Sequence, residues 1–348
     1  MTALSRGSVV CLAWMAATVY LVDAAPLETC GACHRAETQA FAASGMAGAL
    51  SSARNSSILR ALPKLTARIG LYSYVIARAG NESILTVSDG KETLRVPIAW
   101  VFGQGSVGQT FVFQMEDRWY ESRVSYFSGT GGLDLTLGME DITPHNLLEA
   151  AGRLVGPAEM GLCFDCHATN VVKTPALDLA GMIEGVQCER CHQGAEAHLQ
   201  AVRARSPGAT MKRLGALSTE ELSDFCGQCH RTWSQVAVRG PHGIENVRFQ
   251  PYRLANSKCY DAADRRIRCT ACHDPHHEIE TSLAAYDTKC AACHSLAARR
   301  NGAATRLCRV GVRECVKCHM PKLDLPGAHA KFTDHWIRIA KPNAPYPN

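Results

Sequence analysis

Cys188-Glu189-Arg190-Cys191-His192 sets two thiols three positions apart with an imidazole directly behind them. The same Cys-x-x-Cys-His string runs from Cys30 to His34, Cys163 to His167, Cys226 to His230, Cys269 to His273, Cys290 to His294 and Cys315 to His319, making seven copies. With 14 His in 348 residues, seven such neighbours by chance have a probability on the order of 10⁻¹⁰. Two thiols at this spacing add to the two vinyl groups of one porphyrin, and the adjoining imidazole then lies beneath the iron. The spacing therefore predicts seven covalently attached haem c groups. Their thiols are Cys30, Cys33, Cys163, Cys166, Cys188, Cys191, Cys226, Cys229, Cys269, Cys272, Cys290, Cys293, Cys315 and Cys318. Their proximal ligands are His34, His167, His192, His230, His273, His294 and His319.

Other readings of Cys-x-x-Cys do not require the following histidine. Cys269/Cys272 and Cys290/Cys293 have roughly the spacing of a four-thiolate zinc site, but seven motifs leave one over after pairing. A thioredoxin-like redox pair needs a βαβ pattern, which no stretch here supplies.

The start of the chain carries Arg6, an apolar run from Val9 to Val22, and Val22-Asp23-Ala24. This is the pattern of a signal peptide cleaved after Ala24, with a retained membrane anchor as the alternative. Export suits covalent haem and predicts a periplasmic or extracellular protein. Of the 17 Cys, fourteen belong to the motifs and Cys11 to the leader. Cys259 and Cys308 remain, either as a disulfide or as two free thiols. The net charge of +5 does not indicate a nucleic-acid role. Seven pairs of propionates would add about −14 and pair with the Arg and Lys surplus.

One motif lies near the start and six follow from Cys163 to His319. In the gap, Leu71 to Arg78, Ser83 to Val87, Glu92 to Phe102, Gln109 to Met115 and Trp119 to Phe127 are apolar or alternating, and rich in β-branched or aromatic residues. Ala79-Gly80-Asn81, Asp89-Gly90, glycines 103, 105 and 108, and Asp117-Arg118 punctuate them. The expected fold is a mainly α multihaem cytochrome c with short helices and long loops, carrying a small antiparallel β insert in its N-terminal region. The expected divisions are a leader (1–24), an N-terminal region with one haem and the insert (25–160), and a six-haem region (161–348). Helices are expected over Glu37 to Ala43, Glu149 to Arg153 and Thr219 to Cys229, the last behind a Ser218/Glu221 capping box.

Each proximal histidine leaves a sixth iron position. Outside the motifs stand His145, His198, His242, His276, His277, His329 and His335. His276 is only three residues past His273, too near to reach the opposite face of the same porphyrin, so it should serve a neighbouring haem. His277 points elsewhere and reads as a surface histidine. His198, His335, His329, His242 and His145 are the other candidate distal ligands, with Met46 a candidate at the first haem.

Three segments carry a family resemblance. Gly185 to His192 leading to His198, Cys269-Thr270-Ala271-Cys272-His273-Asp274-Pro275-His276, and Cys315 to Lys322 followed by Phe332-Thr333-Asp334-His335 resemble multihaem c-type cytochromes related to the tetrahaem cytochrome of ammonia oxidisers and to pentahaem nitrite reductases. The resemblance covers roughly half of the chain and implies a haem stack with mainly bis-histidine ligation. Gln193-Gly194-Ala195 stands where the family pattern has Gly-Pro-Gly.

Two functions are compatible with these residues. One is an electron carrier relaying electrons between a membrane quinol-oxidising complex and another redox partner protein. The other is an oxidoreductase acting on a small nitrogen or sulfur compound at one open haem, with Lys322, His329 or Arg338 stabilising an anion. The carrier is favoured because distal candidates nearly match the haems and no Cys-x-x-Cys-Lys site occurs. Peripheral membrane association and an oligomer or filament are further partner expectations.

Overall fold

Along β6 (Gly108–Met115), Phe111 and Phe113 are fully buried on one face while Val112 is buried on the other. A strand apolar on both faces must be covered on both, and this one lies in the middle of a nine-stranded antiparallel sheet. The computed structural model describes residues 27–171, 177–206, 211, 213–295, 308–341 and 344–347. The leader expected at 1–24 lies outside them.

Seven strands follow one another in chain order: β2 (Lys64–Ile69), β3 (Tyr72–Ala79), β4 (Glu82–Ser88), β5 (Thr93–Phe102), β6, β7 (Arg118–Phe127) and β8 (Gly132–Leu135). β1 (Leu50–Ser52) joins β5, and β9 (Gly152–Val155) joins β7. β2 and β8 approach one another, so the meander nearly closes into a barrel. Its interior holds Tyr74, Ile76, Leu85, Val87, Val101, Phe111, Phe113 and Val124, with Phe113 stacked on Tyr120 at 5.2 Å. At the β6–β7 turn, Glu116 and Asp117 take φ values of +50° and +59°, the left-handed pair that a tight hairpin of matching twist needs.

The expectation of a mainly α protein with a small β insert is therefore overturned. The chain is about 34% helical and 25% strand, with a large, nearly closed sheet. Five strands carry strong alternation, but Leu50–Ser52, Lys64–Ile69, Gly132–Leu135 and Gly152–Val155 are short and break at polar residues, so their pairing shows only in three dimensions. The motif helices are correspondingly slight: Cys188–Cys191 and Cys269–Cys272 are four residues each. The helix expected over Glu149 to Arg153 is Leu147–Ala151, after which the chain turns into β9.

The outer face of the sheet positions the second motif. Helix Pro157–His167 begins with proline in its first turn, where no N–H partner is lost, and lays Phe164 against Trp100, Phe102 and Trp119 at 5.7, 5.2 and 6.0 Å. Phe164 is fully buried. Phe164→Ala should cost about 3–5 kcal/mol of stability, read by chemical denaturation, and loosen the turn that carries Cys163, Cys166 and His167. A loss below about 1 kcal/mol would show that the sheet does not anchor this helix.

Two further contacts tie the sheet to the motifs. Two residues before the third motif, Val186 donates its N–H to the Met46 carbonyl at 3.1 Å. Beside it Gly185 has a φ of +73°, and a Cβ there would run into the Ala47 carbonyl, so both conformation and space call for glycine. At the other end, the hairpin of Lys322–Leu325 with Ala330–Thr333 meets the barrel through His329. Its Nε2 lies 2.8 Å from Asp134 Oδ2 and its ring 4.9 Å from Phe127.

Candidate metal centres

A pair of residues three apart shares a helix face, and the next position continues the same turn. The second, fourth and sixth motifs use this by ending the helices Pro157–His167, Thr219–His230 and Leu283–His294. The Ser218 capping box forms in full: Glu221 N–H donates to Ser218 Oγ at 3.1 Å, and Ser218 N–H to Glu221 Oε2 at 2.7 Å. A second box, Thr232 with Gln235, starts the next helix; its Thr-x-x-Gln spacing is visible in the sequence.

The motif thiols follow one another as electrostatic neighbours in a continuous series. Cys30 reaches Cys188, joining the first motif to the third. Cys191 neighbours Cys229, joining the third to the fourth. The Cys226 and Cys269 thiols shift one another's ionisation, as Cys290 shifts Cys272 and Cys315 shifts Cys290, which carries the series through the fifth and sixth motifs to the seventh. The second motif branches off at the fourth, where Cys166 Sγ donates to the Gln228 carbonyl at 3.7 Å and the Cys166 and Cys229 thiols shift one another's ionisation. Burial pushes the Cys163 and Cys188 thiols up to about 11 and Cys315 up to about 12. Such thiols sit away from water and are poor thiolates in the bare chain.

Two pairs of histidines face each other across the motifs. His276 lies against His192 of the third motif, ring centres 6.1 Å apart and planes within 4°. His335 lies 6.1 Å from His273 of the fifth, with planes at 40°. A histidine nitrogen binds a first-row metal at about 2 Å, and the ring centre lies about 1 Å behind that nitrogen, so two imidazoles on opposite sides of one iron have centres about 6 Å apart. Both pairs fit that span.

Ring orientation is set by the other nitrogen. His167 Nδ1 lies 3.0 Å from the Ala49 carbonyl, His319 Nδ1 3.0 Å from that of Arg338, and His335 Nδ1 3.0 Å from that of Thr333. His276 Nδ1 lies 3.2 Å from Asp274 Oδ1. A ligating histidine characteristically donates its spare N–H to a carbonyl or carboxylate in this way. Desolvation pushes His335 down to about 4 and holds His167, His192, His230 and His273 below their ordinary value. All five are thus kept neutral, the form that binds metal.

The remaining candidates are not brought against a proximal ring. His198 is half-buried on helix Ala195–Arg203, while His145 and His242 are exposed. His277 is exposed and pairs with Asp274 at 3.0 Å. Met46 is half-buried, and His329 faces the barrel as described. Cys259 and Cys308 are free thiols, which corrects the disulfide alternative: Cys259 lies beside Cys293 of the sixth motif, whereas Cys308 takes the backbone N–H groups of Gly311 and Val310. Among the described residues, no three His, Cys, Asp or Glu side chains converge as a bare metal site, and no helix is long and apolar enough to cross a membrane.

Sequence reasoning missed the side chains that hold the ligands. Arg253 with Asp334 anchors the segment bearing His335. Asp334 stands next to a candidate ligand and could have been noticed; nothing in the sequence marks Arg253.

Comparison with known proteins agrees with this chemistry. Residues 146–193 match the family Cytochrome c554 and c-prime. A curated relative, the multiheme cytochrome MtrA of Shewanella baltica (strain OS185), is 25% identical over 153 residues, covering 43% of this chain and 38% of its own length. No solved structure matches. These similarities support a multihaem cytochrome of the c type, with covalently bound haem c.

Proposed function

We propose that this chain is a periplasmic or extracellular heptahaem cytochrome, exported by a cleaved leader, that relays electrons between a membrane quinol-oxidising complex and another redox partner protein. The observation that carries the reading is a series of motif thiols close enough to shift one another's ionisation, first motif to third, fourth, fifth, sixth and seventh, with the second as a branch. Attachment sites this close would hold their groups edge to edge. Haem c supplies reversible one-electron storage at each site.

The chain's own residues position and shield those groups. His192 with His276, and His273 with His335, would hold iron from two sides. His198, His242, His145, Met46 and His329, whose Nε2 is held by Asp134, are the candidates for the five remaining sixth positions. Carbonyl acceptors fix the rings of His167, His319 and His335 so that Nε2 is the nitrogen left for metal.

Low-temperature electron paramagnetic resonance of the oxidised protein, paired with carbon monoxide binding to the reduced form, tests the carrier reading. The expected result is low-spin haem throughout and no gas binding. A high-spin ferric signal with stoichiometric gas binding at one haem would replace the carrier with an oxidoreductase acting on a small nitrogen or sulfur compound.

A further inference from the structure

Arg253 is the largest fully buried side chain, and an arginine out of contact with water must be fully compensated. Its Nε and Nη2 each donate to one oxygen of Asp334 at 2.9 Å, and that carboxylate is also fully buried. Nη1 donates to Asn246 Oδ1 at 3.2 Å and to the Pro347 carbonyl at 2.9 Å. The rings of Trp336 and Tyr346 lie 4.9 and 4.5 Å from the guanidinium carbon. A planar fork with aromatic faces against it is a site built for arginine, which lysine cannot reproduce.

What the fork holds is the segment between two candidate iron ligands. Asp334 immediately precedes His335, and its N–H donates to the carbonyl of Pro321, two residues past His319. Asp334 Oδ2 also takes Arg338 Nη1 at 2.5 Å. Arg338 in turn donates its N–H to the His319 carbonyl at 3.1 Å, and its own carbonyl faces His319 Nδ1 at 3.0 Å. On the other side, Ser257 Oγ donates to the His335 carbonyl at 3.2 Å and accepts the Ile337 N–H at 2.7 Å.

We infer that Arg253 is a positioning residue that sets two axial imidazoles at once, His335 against the fifth motif through Asp334, and His319 of the seventh through Asp334 and Arg338. The inference rests on the proposed ligation of haem by His335 and His319. It makes the sixth ligand of one centre and the proximal ligand of another depend on one buried cation.

The test uses the full holoprotein as Arg253→Lys, with Arg338→Leu and His335→Ala beside it. Arg253→Lys keeps the charge but loses the fork. With haem content unchanged, it should convert part of the low-spin signal to high-spin and admit up to about one equivalent of carbon monoxide per protein. Arg338→Leu should alter only the seventh haem, as a shifted low-spin signal without gas binding. If His335→Ala opens a haem while Arg253→Lys and Arg338→Leu both keep the wild-type spectrum, the positioning role is overturned and the ligation stands. If His335→Ala itself leaves every haem low-spin, the ligand assignment fails. Should Arg253→Lys not accumulate, an unchanged spectrum in Arg338→Leu still overturns the link to His319.

Discussion

His335→Ala should turn one low-spin haem into a high-spin one and create about one carbon monoxide site per protein, with the covalent haem content unchanged. The ring it removes is desolvated, lies 6.1 Å from His273, and is fixed by the Thr333 carbonyl. The further imidazole that acts on His273 is that of His230, which belongs to the fourth motif. Truncation also opens a cavity beside the buried Arg253–Asp334 pair, and a stability loss of about 2–4 kcal/mol should accompany the spectral change. His276→Ala is the paired experiment: it should open the third motif instead of the fifth, because His276 faces His192 within 4° of parallel. Spectra unchanged in both variants would remove the two bis-histidine assignments.

Cys188→Ser with Cys191→Ser should yield a protein carrying one haem fewer, in which the first haem no longer equilibrates rapidly with the rest. The third motif links the first motif to the fourth, since Cys30 shifts the ionisation of Cys188 and Cys229 that of Cys191. Losing the buried group between them should destabilise the protein by more than about 3 kcal/mol. The same exchange at Cys163 and Cys166 should remove one haem but leave the main series intact, because the second motif is a side branch at Cys229. Stepwise reduction followed by stopped-flow absorbance separates the two. Equal slowing in both variants would contradict the branched order.

The chemistry of this chain was far more legible in its sequence than its architecture. Cys-x-x-Cys-His is a local signal, needing only adjacent residues, and so is the Ser218/Glu221 box that starts Thr219–His230. The five long strands were legible for the same reason, because alternation within 71–127 declares a half-buried strand before any partner is known. Closure of the sheet was not. It depends on β2 approaching β8 and on β9 pairing Trp119 with Val155, contacts between segments whose own pattern is weak. Helix content was overestimated because a motif needs only one turn, as Cys188–Cys191 and Cys269–Cys272 illustrate.

At the site, the proximity of His273 and His276 in sequence argues against a shared iron, since three residues do not span a porphyrin, and the structure sets His276 against His192. The partner itself, His192, is 84 positions earlier by residue number, and no local rule reaches that far. Arg253 and Asp334 are separated by 81 residues, and their pairing reflects the general fact that a buried charge must find its opposite in three dimensions.

Covalent attachment at fourteen thiols underlies every proposed haem site of this protein. Intact mass of the purified mature protein under denaturing conditions measures this directly, with the Cys188→Ser and Cys191→Ser variant as the internal step. A mass equal to the polypeptide plus seven haem groups, falling by one in the variant, is the predicted result. A mass matching the bare chain, one with markedly fewer haems, or one unchanged by the substitution would contradict it.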